Sequence, residues 1–226
     1  MDVLVSYLGQ LFQGAVITLQ LAFTSLFFGL VLGLLLMACK LSSRVYLRGP
    51  VNFLTSVLRG IPEFLIILIC YFGLSNLIVE HLDGAFEVSP FVGGVFALSI
   101  VFSAYASEVF RGGFIAVPQG QIEAAKAYGL SPAQIFFSIQ LPQAWRISLP
   151  SLSNLWQSLL KDTSLVSVVG LEDLLKKADM AAQFSKQPFV FFTAVAVIYF
   201  LFLSLSSPVF ALLEKRANRG YHSPTA

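Results

Sequence analysis

Long apolar segments dominate the chain, at roughly 15–38, 51–79, 89–110, 146–170 and 190–213, with shorter and more polar stretches between them. Crossing the hydrocarbon of a bilayer takes about 20 apolar residues as a helix, so each segment is predicted to span a membrane. In lipid the backbone must satisfy its own hydrogen bonds, which favours helices here. The expected fold is therefore all-α and integral to a membrane. It has five transmembrane helices in one domain, residues 1–226.

The stretch Glu123–Pro142, EAAKAYGLSPAQIFFSIQLP, breaks this pattern between the third and fourth segments. Pro118 can open a helix, and Glu123 complements the dipole near its start. Ala124 and Ala125 carry little bulk, so another surface can approach closely. Gly129 suits a left-handed C-cap. Ser131, Pro132 and Gln134 fit the N-cap, N1 and N3 positions of a capping box. A second short helix then places Ile135, Ile139 and Gln140 to pack back, and Leu141-Pro142 is expected to end it. From the residues alone, this helix–turn–helix is either an interfacial connection or a surface presented to something outside the bilayer.

Composition supports the membrane reading. Of 226 residues, 57% are hydrophobic and 12% charged, and Phe occurs 22 times; soluble domains are about a quarter charged. A cleavable signal peptide is not expected. Asp2 stands where a basic n-region would be, and Val16–Ala38 is too long for an h-region. Cys39 and Cys70 are read as packed thiols, without a disulfide or a metal site. No span offers a His–acid, Cys–His or HExxH arrangement, which argues against a membrane enzyme.

Basic residues mark cytoplasmic loops. Lys40, Arg44 and Arg48 occupy loop 39–50 without an acid, whereas loop 80–88 carries Glu80, Asp83 and Glu87 without a base. Loop 111–145 holds Arg111 and Lys126, with Arg146 at its far edge, and Lys215, Arg216 and Arg219 follow the last span. The N-terminus is then outside, the C-terminus inside and Glu123–Pro142 cytoplasmic. Loop 171–188 falls outside, its Lys176, Lys177 and Lys186 balanced by Glu172, Asp173 and Asp179. Its LEDLLKKADMAAQF has helical spacing of Leu171, Leu174, Leu175 and Ala178, which predicts an amphipathic surface helix. That helix either caps the bundle or helps receive an external partner.

Charged residues inside spans are costly and face a cavity or a partner. The candidates are Arg59, Glu63, Glu108, Lys161 and Asp162. Counting 1.5 Å per residue from Pro50 puts Glu63 about 20 Å into span two, beside the break that Gly60 and Pro62 invite. Broken helices at the midplane are where transporters build binding sites. Glu63 contacts a cationic ligand or pairs with Arg59 four residues earlier. Glu108 either pairs with Arg111 or lines a pathway. Lys161 and Asp162 point about 100° apart and so serve different neighbours, in a structural network or as pathway lining. Asn154 shares a face with Asp162, and that polar stripe lines a cavity or faces a partner permease. Trp145 reads as an interfacial anchor and Trp156 as packing, while His81 and His222 are isolated.

Glu123-Ala124-Ala125, then Gly129, Ile139 and Leu141-Pro142, at these spacings, resemble the EAA loop of ABC-importer permeases. Four further runs are similar to permeases of polar amino acid uptake systems. They are Gly14–Leu19 (GAVITL), Arg59–Pro62 (RGIP), Ala104–Gly113 (AYASEVFRGG) and Lys161–Leu165 (KDTSL). The likeness covers nearly the whole chain and falls nearest the histidine and arginine/lysine/ornithine branch.

The resemblance implies a type I ABC importer permease fold whose cytoplasmic coupling helix uses Glu123, Ala124, Ala125 and Gly129. It implies a multi-pass protein of the bacterial cytoplasmic (inner) membrane, working by alternating access. The implied partners are two ATP-binding cassette subunits, a second permease (a paralogue or an identical copy), a periplasmic or lipid-anchored amino acid binding protein and membrane lipid, with no nucleic acid. No Walker A sequence is present, so ATP and Mg belong to the partner subunits and this chain binds no cofactor. The implied cargo is a polar, cationic amino acid: arginine, lysine, ornithine or histidine. Glu63 carries that inference, because this branch tends to place Glu or Asp after the Pro. The candidate substrate-binding residues are Glu63, Glu108, Asn154 and Asp162. Neutral amino acids or opines on the same machinery are the alternative, and a non-ABC channel or assembly subunit is a remote one.

Overall fold

The computed structural model describes residues 2–81 and 88–220; loop 80–88 and His222 therefore lie wholly or largely outside what is described. Every regular element among the described residues is helical. Helix α1 (Asp2–Leu41) is followed by α2 (Val45–Gly60), α3 (Glu63–His81) and α4 (Pro90–Ile115). A short pair, α5 (Gln119–Ala127) and α6 (Pro132–Ile135), precedes a π-helical segment Phe136–Gln140 and α7 (Leu141–Asp162). A 3₁₀ segment Thr163–Val169 extends α7, and α8 (Leu174–Ser185) and α9 (Pro188–Ala217) complete the described chain.

Helices α1, α4 and α9 are each long and apolar enough to cross a bilayer. The core forms where α1, α4 and α7 meet. Leu21, Leu98, Phe102, Trp156 and Leu160 are buried there. Gly29 and Gly33 let α1 approach α4 closely: a Cβ on Gly29 would fall 2.7 Å from the Phe102 ring, and one on Gly33 3.0 Å from the Ala106 Cβ. Small residues four apart are the usual device for close helix packing in lipid, where apolar side chains gain nothing by leaving the solvent. Ser99 adds a hydrogen bond to the Ser25 carbonyl at 3.3 Å.

The expected second span is two helices. The axes of α2 and α3 turn by 111° at the break. Pro62 has no N–H to continue the ladder and biases Ile61 toward extended backbone, and Ile61 has φ −100° and ψ 137°. Nor is segment 39–50 a loop: only residues 42–44 separate α1 from α2. The expected helix in 171–188 is α8. Asp173 caps it, accepting from the Lys176 N–H at 2.9 Å. Leu174, Ala178, Ala181 and Ala182 are buried against α1 and α9 together with Leu11 and Phe191.

Candidate functional site

Glu63, the first residue of α3, and Asp162, the last of α7, face a shared cavity of about 220 Å³. Tyr105 from α4 and Ser158 from α7 supply further polar groups, and Phe102 and Leu159 form apolar wall. The Tyr105 hydroxyl donates to Glu63 Oε1 at 3.2 Å. Counting depth along one continuous span two fails, because the chain turns at Pro62. Depth can be taken from α4 instead. Tyr105 lies ten residues from the end of α4 at Ile115, about 15 Å at helical rise, or about half the hydrocarbon thickness. Two carboxylates facing one small cavity, one of them held by a hydroxyl, favour a cationic guest.

The other two candidate substrate-binding residues stand elsewhere. Asn154 is exposed on α7 and does not line the cavity. Glu108 sits one turn below Tyr105 on α4, at the centre of an ion cluster. Its Oε1 accepts from Lys40 Nζ at 2.8 Å and lies 3.6 Å from the Arg59 guanidinium; its Oε2 accepts from Arg111 Nε at 2.8 Å. Arg59 therefore engages Glu108, and its Nε donates to the Thr55 carbonyl at 3.3 Å; the i,i+4 pairing with Glu63 is not among the ion pairs seen. The helix break between residues 59 and 63 carries Glu63 off the face it would share with Arg59. Lys40 reads in sequence as a loop cation. It is a fully buried side chain in the last turn of α1, which also donates to Ser107 at 2.8 Å.

Nothing local in the sequence assigns Tyr105 or Ser158 to the cavity, or Lys40 to an ion pair. Tyr105 lies within the quoted AYASEVFRGG run, three residues before Glu108, so helical spacing was available as a signal. Trp156 is buried and its ring lies 5.1 Å from Phe23, while Trp145 is exposed. Cys39 and Cys70 are free thiols.

The helix–turn–helix is built from its caps. Gly129 adopts φ 78°, the Leu130 N–H bonds the Ala125 carbonyl at 3.1 Å and the Gly129 N–H bonds the Lys126 carbonyl at 2.9 Å. That pattern is a Schellman motif, and a left-handed residue there favours Gly. The Ser131 N–H donates to Gln134 Oε1 at 2.8 Å and the Gln134 N–H donates to Ser131 Oγ at 3.4 Å, closing the capping box. Glu123, Ala124 and Gly129 are exposed and Ala125 is buried.

Contrary to the sequence expectation, the second helix does not end at Leu141-Pro142. It passes through the π segment into α7, where Pro142 lies in the first turn. The Leu141 N–H reaches five residues back to the Phe136 carbonyl. A π-bulge adds a residue to the turn, and here it accommodates the donor that Pro142 lacks. Pro132 to Asp162 is consequently one continuous helical segment, about 45 Å measured along its path at helical rise, with Pro150 inside it. The Gln143 amide braces it against α5, donating to Gln121 Oε1 at 2.7 Å.

A bundle of apolar helices, with a capped exposed helix–turn–helix joined by one rod to an acid-lined cavity, defines a membrane transport subunit. Residues 25–219 match the family described as binding-protein-dependent transport system inner membrane component. The chain is 44% identical to the nopaline transport system permease protein NocQ of Agrobacterium fabrum, over 95% of this chain and 93% of that protein. It is 37% identical to the histidine/lysine/arginine/ornithine transport system permease protein HisQ of Escherichia coli, over 96% and 97%. A solved amino acid ABC transporter structure matches with a TM-score of 0.83 at 32% identity, covering 94% of this chain and 96% of that one. The chain belongs to the family of inner membrane components of binding-protein-dependent transport systems. Its fold is that of a type I ABC-importer permease, and its role is transport, with the ATPase carried on separate subunits. Family membership implies an ATPase and a substrate-binding protein as partners.

Proposed function

We propose that this chain is the permease subunit of an importer for cationic amino acids, with Glu63 and Asp162 receiving the cargo's positive group. The observation that carries the reading is the pair of acidic side chains in one small cavity, with Tyr105 orienting Glu63. The relative that handles histidine, lysine, arginine and ornithine supports the same cargo class. The identity to the nopaline permease favours a second reading, an opine, which is an amino acid derivative.

The chain crosses the membrane five times, by α1, α3, α4, α7 with its 3₁₀ extension, and α9. Helix α2 lies against the inner side. The N-terminus is outside, and the α5–α6 turn is cytoplasmic. Two ATP-binding cassette subunits hold ATP and Mg, and Glu123, Ala124 and Gly129 form the face that docks on one of them, with the buried Ala125 packing the coupling helix beneath it. A second permease, a copy or a paralogue, completes the pathway. A periplasmic or lipid-anchored binding protein delivers cargo. Closure of the ATPases moves the α6–α7 rod, and the rod carries Asp162 and so reshapes the cavity.

The test is uptake by the reconstituted complex carrying Glu63→Gln. Arginine, lysine or histidine uptake is expected to weaken strongly while all subunits still co-purify. Unchanged cationic uptake would refute the assignment, and retained uptake of an opine alone would select the second reading.

A further inference from the structure

Apart from the cargo cavity, the structure holds a second polar cavity, of about 560 Å³, between the end of α1, one face of α2 and the end of α4. Its charge is opposite in sign to that of the first. Lys40, Arg48 and Arg111 line it with a single acid, Glu108, and Arg59 reaches the same carboxylate. Both oxygens of Glu108 are already engaged by Lys40 and Arg111. The Arg48 side chain makes no hydrogen bond or ion pair among the described residues. Asn52 and Ser56, on successive turns of α2, add neutral polar groups beside it. Four cations about one carboxylate leave an excess of positive charge, so the cavity is set up for an anion.

The apolar surroundings narrow the class of anion. Leu41 and Ile115 line the same cavity and are exposed. Helix α2 turns Arg48, Asn52 and Ser56 to the cavity, and its Tyr46, Phe53, Leu54 and Val57 lie exposed on other faces. A short amphipathic helix bent 111° from the next one suits a membrane interface. A free phosphate has no use for that apolar rim, whereas acyl chains do. A cationic cargo would be repelled here.

We propose that this cavity is a binding site for the phosphate of an anionic phospholipid, its headgroup held by Arg48 and Arg111 and its chains lying over Leu41, Ile115 and the apolar side of α2. Basic pockets between transmembrane helices are a recurrent way of holding such headgroups. The site rests on the proposed orientation only for the choice of leaflet, the inner one.

Native mass spectrometry of the whole transporter, from nanodiscs of phosphatidylcholine doped with phosphatidylglycerol, tests this without any transport readout. Retention of phosphatidylglycerol over phosphatidylcholine is expected, falling about five-fold in Arg48→Gln, the factor for losing one basic contact at a membrane surface. Because Arg48 has no partner to lose, that variant is expected to assemble normally. Arg216→Gln, in the last turn of α9, is expected to leave retention unchanged. Equal retention of the two lipids, an equal loss in Arg216→Gln, or full displacement of the lipid by inorganic phosphate would each overturn the proposal. Loss of uptake in Glu63→Gln would not touch it.

Discussion

Tyr105 on α4 donates its hydroxyl to Glu63 at the start of α3, 3.2 Å away and 42 residues distant in sequence. The bond fixes the carboxylate at the point where the chain has just turned through 111°. A hydrogen bond to a charged group contributes about 1.5 kcal/mol or more. Tyr105→Phe keeps the ring and removes the donor, so apparent affinity for a cationic amino acid is expected to fall about ten-fold. Subunit assembly and the ATPase rate without cargo should be unchanged. Uptake kinetics with the reconstituted complex check this, and an unaltered KM would show that Tyr105 does not position Glu63.

Lys40 and Glu108 bind α1 to α4 at 2.8 Å, with the lysine side chain fully buried. Removing one partner of a buried pair leaves the other charge uncompensated, at a cost of about 3 kcal/mol. Glu108→Gln strands three cations and is expected to lower the thermal midpoint of the purified complex clearly. Lys40→Met leaves Glu108 with Arg111 and Arg59, and should cost less. The double variant should lie well above the sum of the two losses, because Lys40, the fully buried one of the three cations that Glu108→Gln strands, is then gone, while Arg59 and Arg111 still reach solvent. Strict additivity would mean that the contact contributes nothing.

What the sequence disclosed follows from the range of the interactions concerned. The caps at Gly129 and Ser131 depend on neighbours within five residues, so their chemistry was legible, down to both capping-box bonds. Apolar segments marked α1, α4 and α9 for the same reason. The placement of charges was not legible. Arg59 sits four residues from Glu63, and helical spacing alone pairs them; the break at Pro62 separates them, and Glu108 on another helix takes the guanidinium. Lys40 looked like one more topogenic cation, because its partner lies 68 residues away. The run of helix through Pro142 is not legible, because a π-bulge leaves no clear mark in composition.

Asp173 gives a pH dependence with a definite sign. It is fully buried at the N-cap of α8, and burial pushes its carboxyl up to about 6, against the opposing pull of the Lys176 N–H and other backbone donors. The folded protein therefore holds this proton to higher pH than the unfolded chain, whose carboxyl titrates near 4. Stability from this group is largest below about pH 4 and is lost as pH rises to about 6, by up to about 3 kcal/mol. Above that it is flat. Asp173→Asn keeps an acceptor for the cap and cannot ionise. The thermal midpoint of the variant is expected to gain on that of the wild type between pH 4 and 6 and to keep that gain at pH 7. Parallel curves over that range would contradict the assignment.

Gly129 and Ser131 shape the turn without belonging to the rod that follows it. Ser131→Ala removes the acceptor for the Gln134 N–H and should cost about 1 kcal/mol locally. Gly129→Ala must hold φ 78° with a Cβ, at about 1 kcal/mol, although no neighbour lies within 4 Å of that Cβ. The space is open, so the penalty is conformational and falls on the turn itself. Both variants are expected to leave the bundle's thermal midpoint almost unchanged, because the losses can be taken up by fraying of α5 and α6. ATPase stimulation by the loaded binding protein should fall several-fold in both, since Glu123 and Ala124 are then presented in a mixture of orientations. Glu123→Ala should reduce stimulation with the turn intact, and hydrogen exchange over 119–135 separates the two causes. Faster exchange is expected in the Gly129 and Ser131 variants and wild-type exchange in Glu123→Ala. Full stimulation in the Gly129 variant despite fast exchange would mean that docking rebuilds the turn and that its caps serve folding alone.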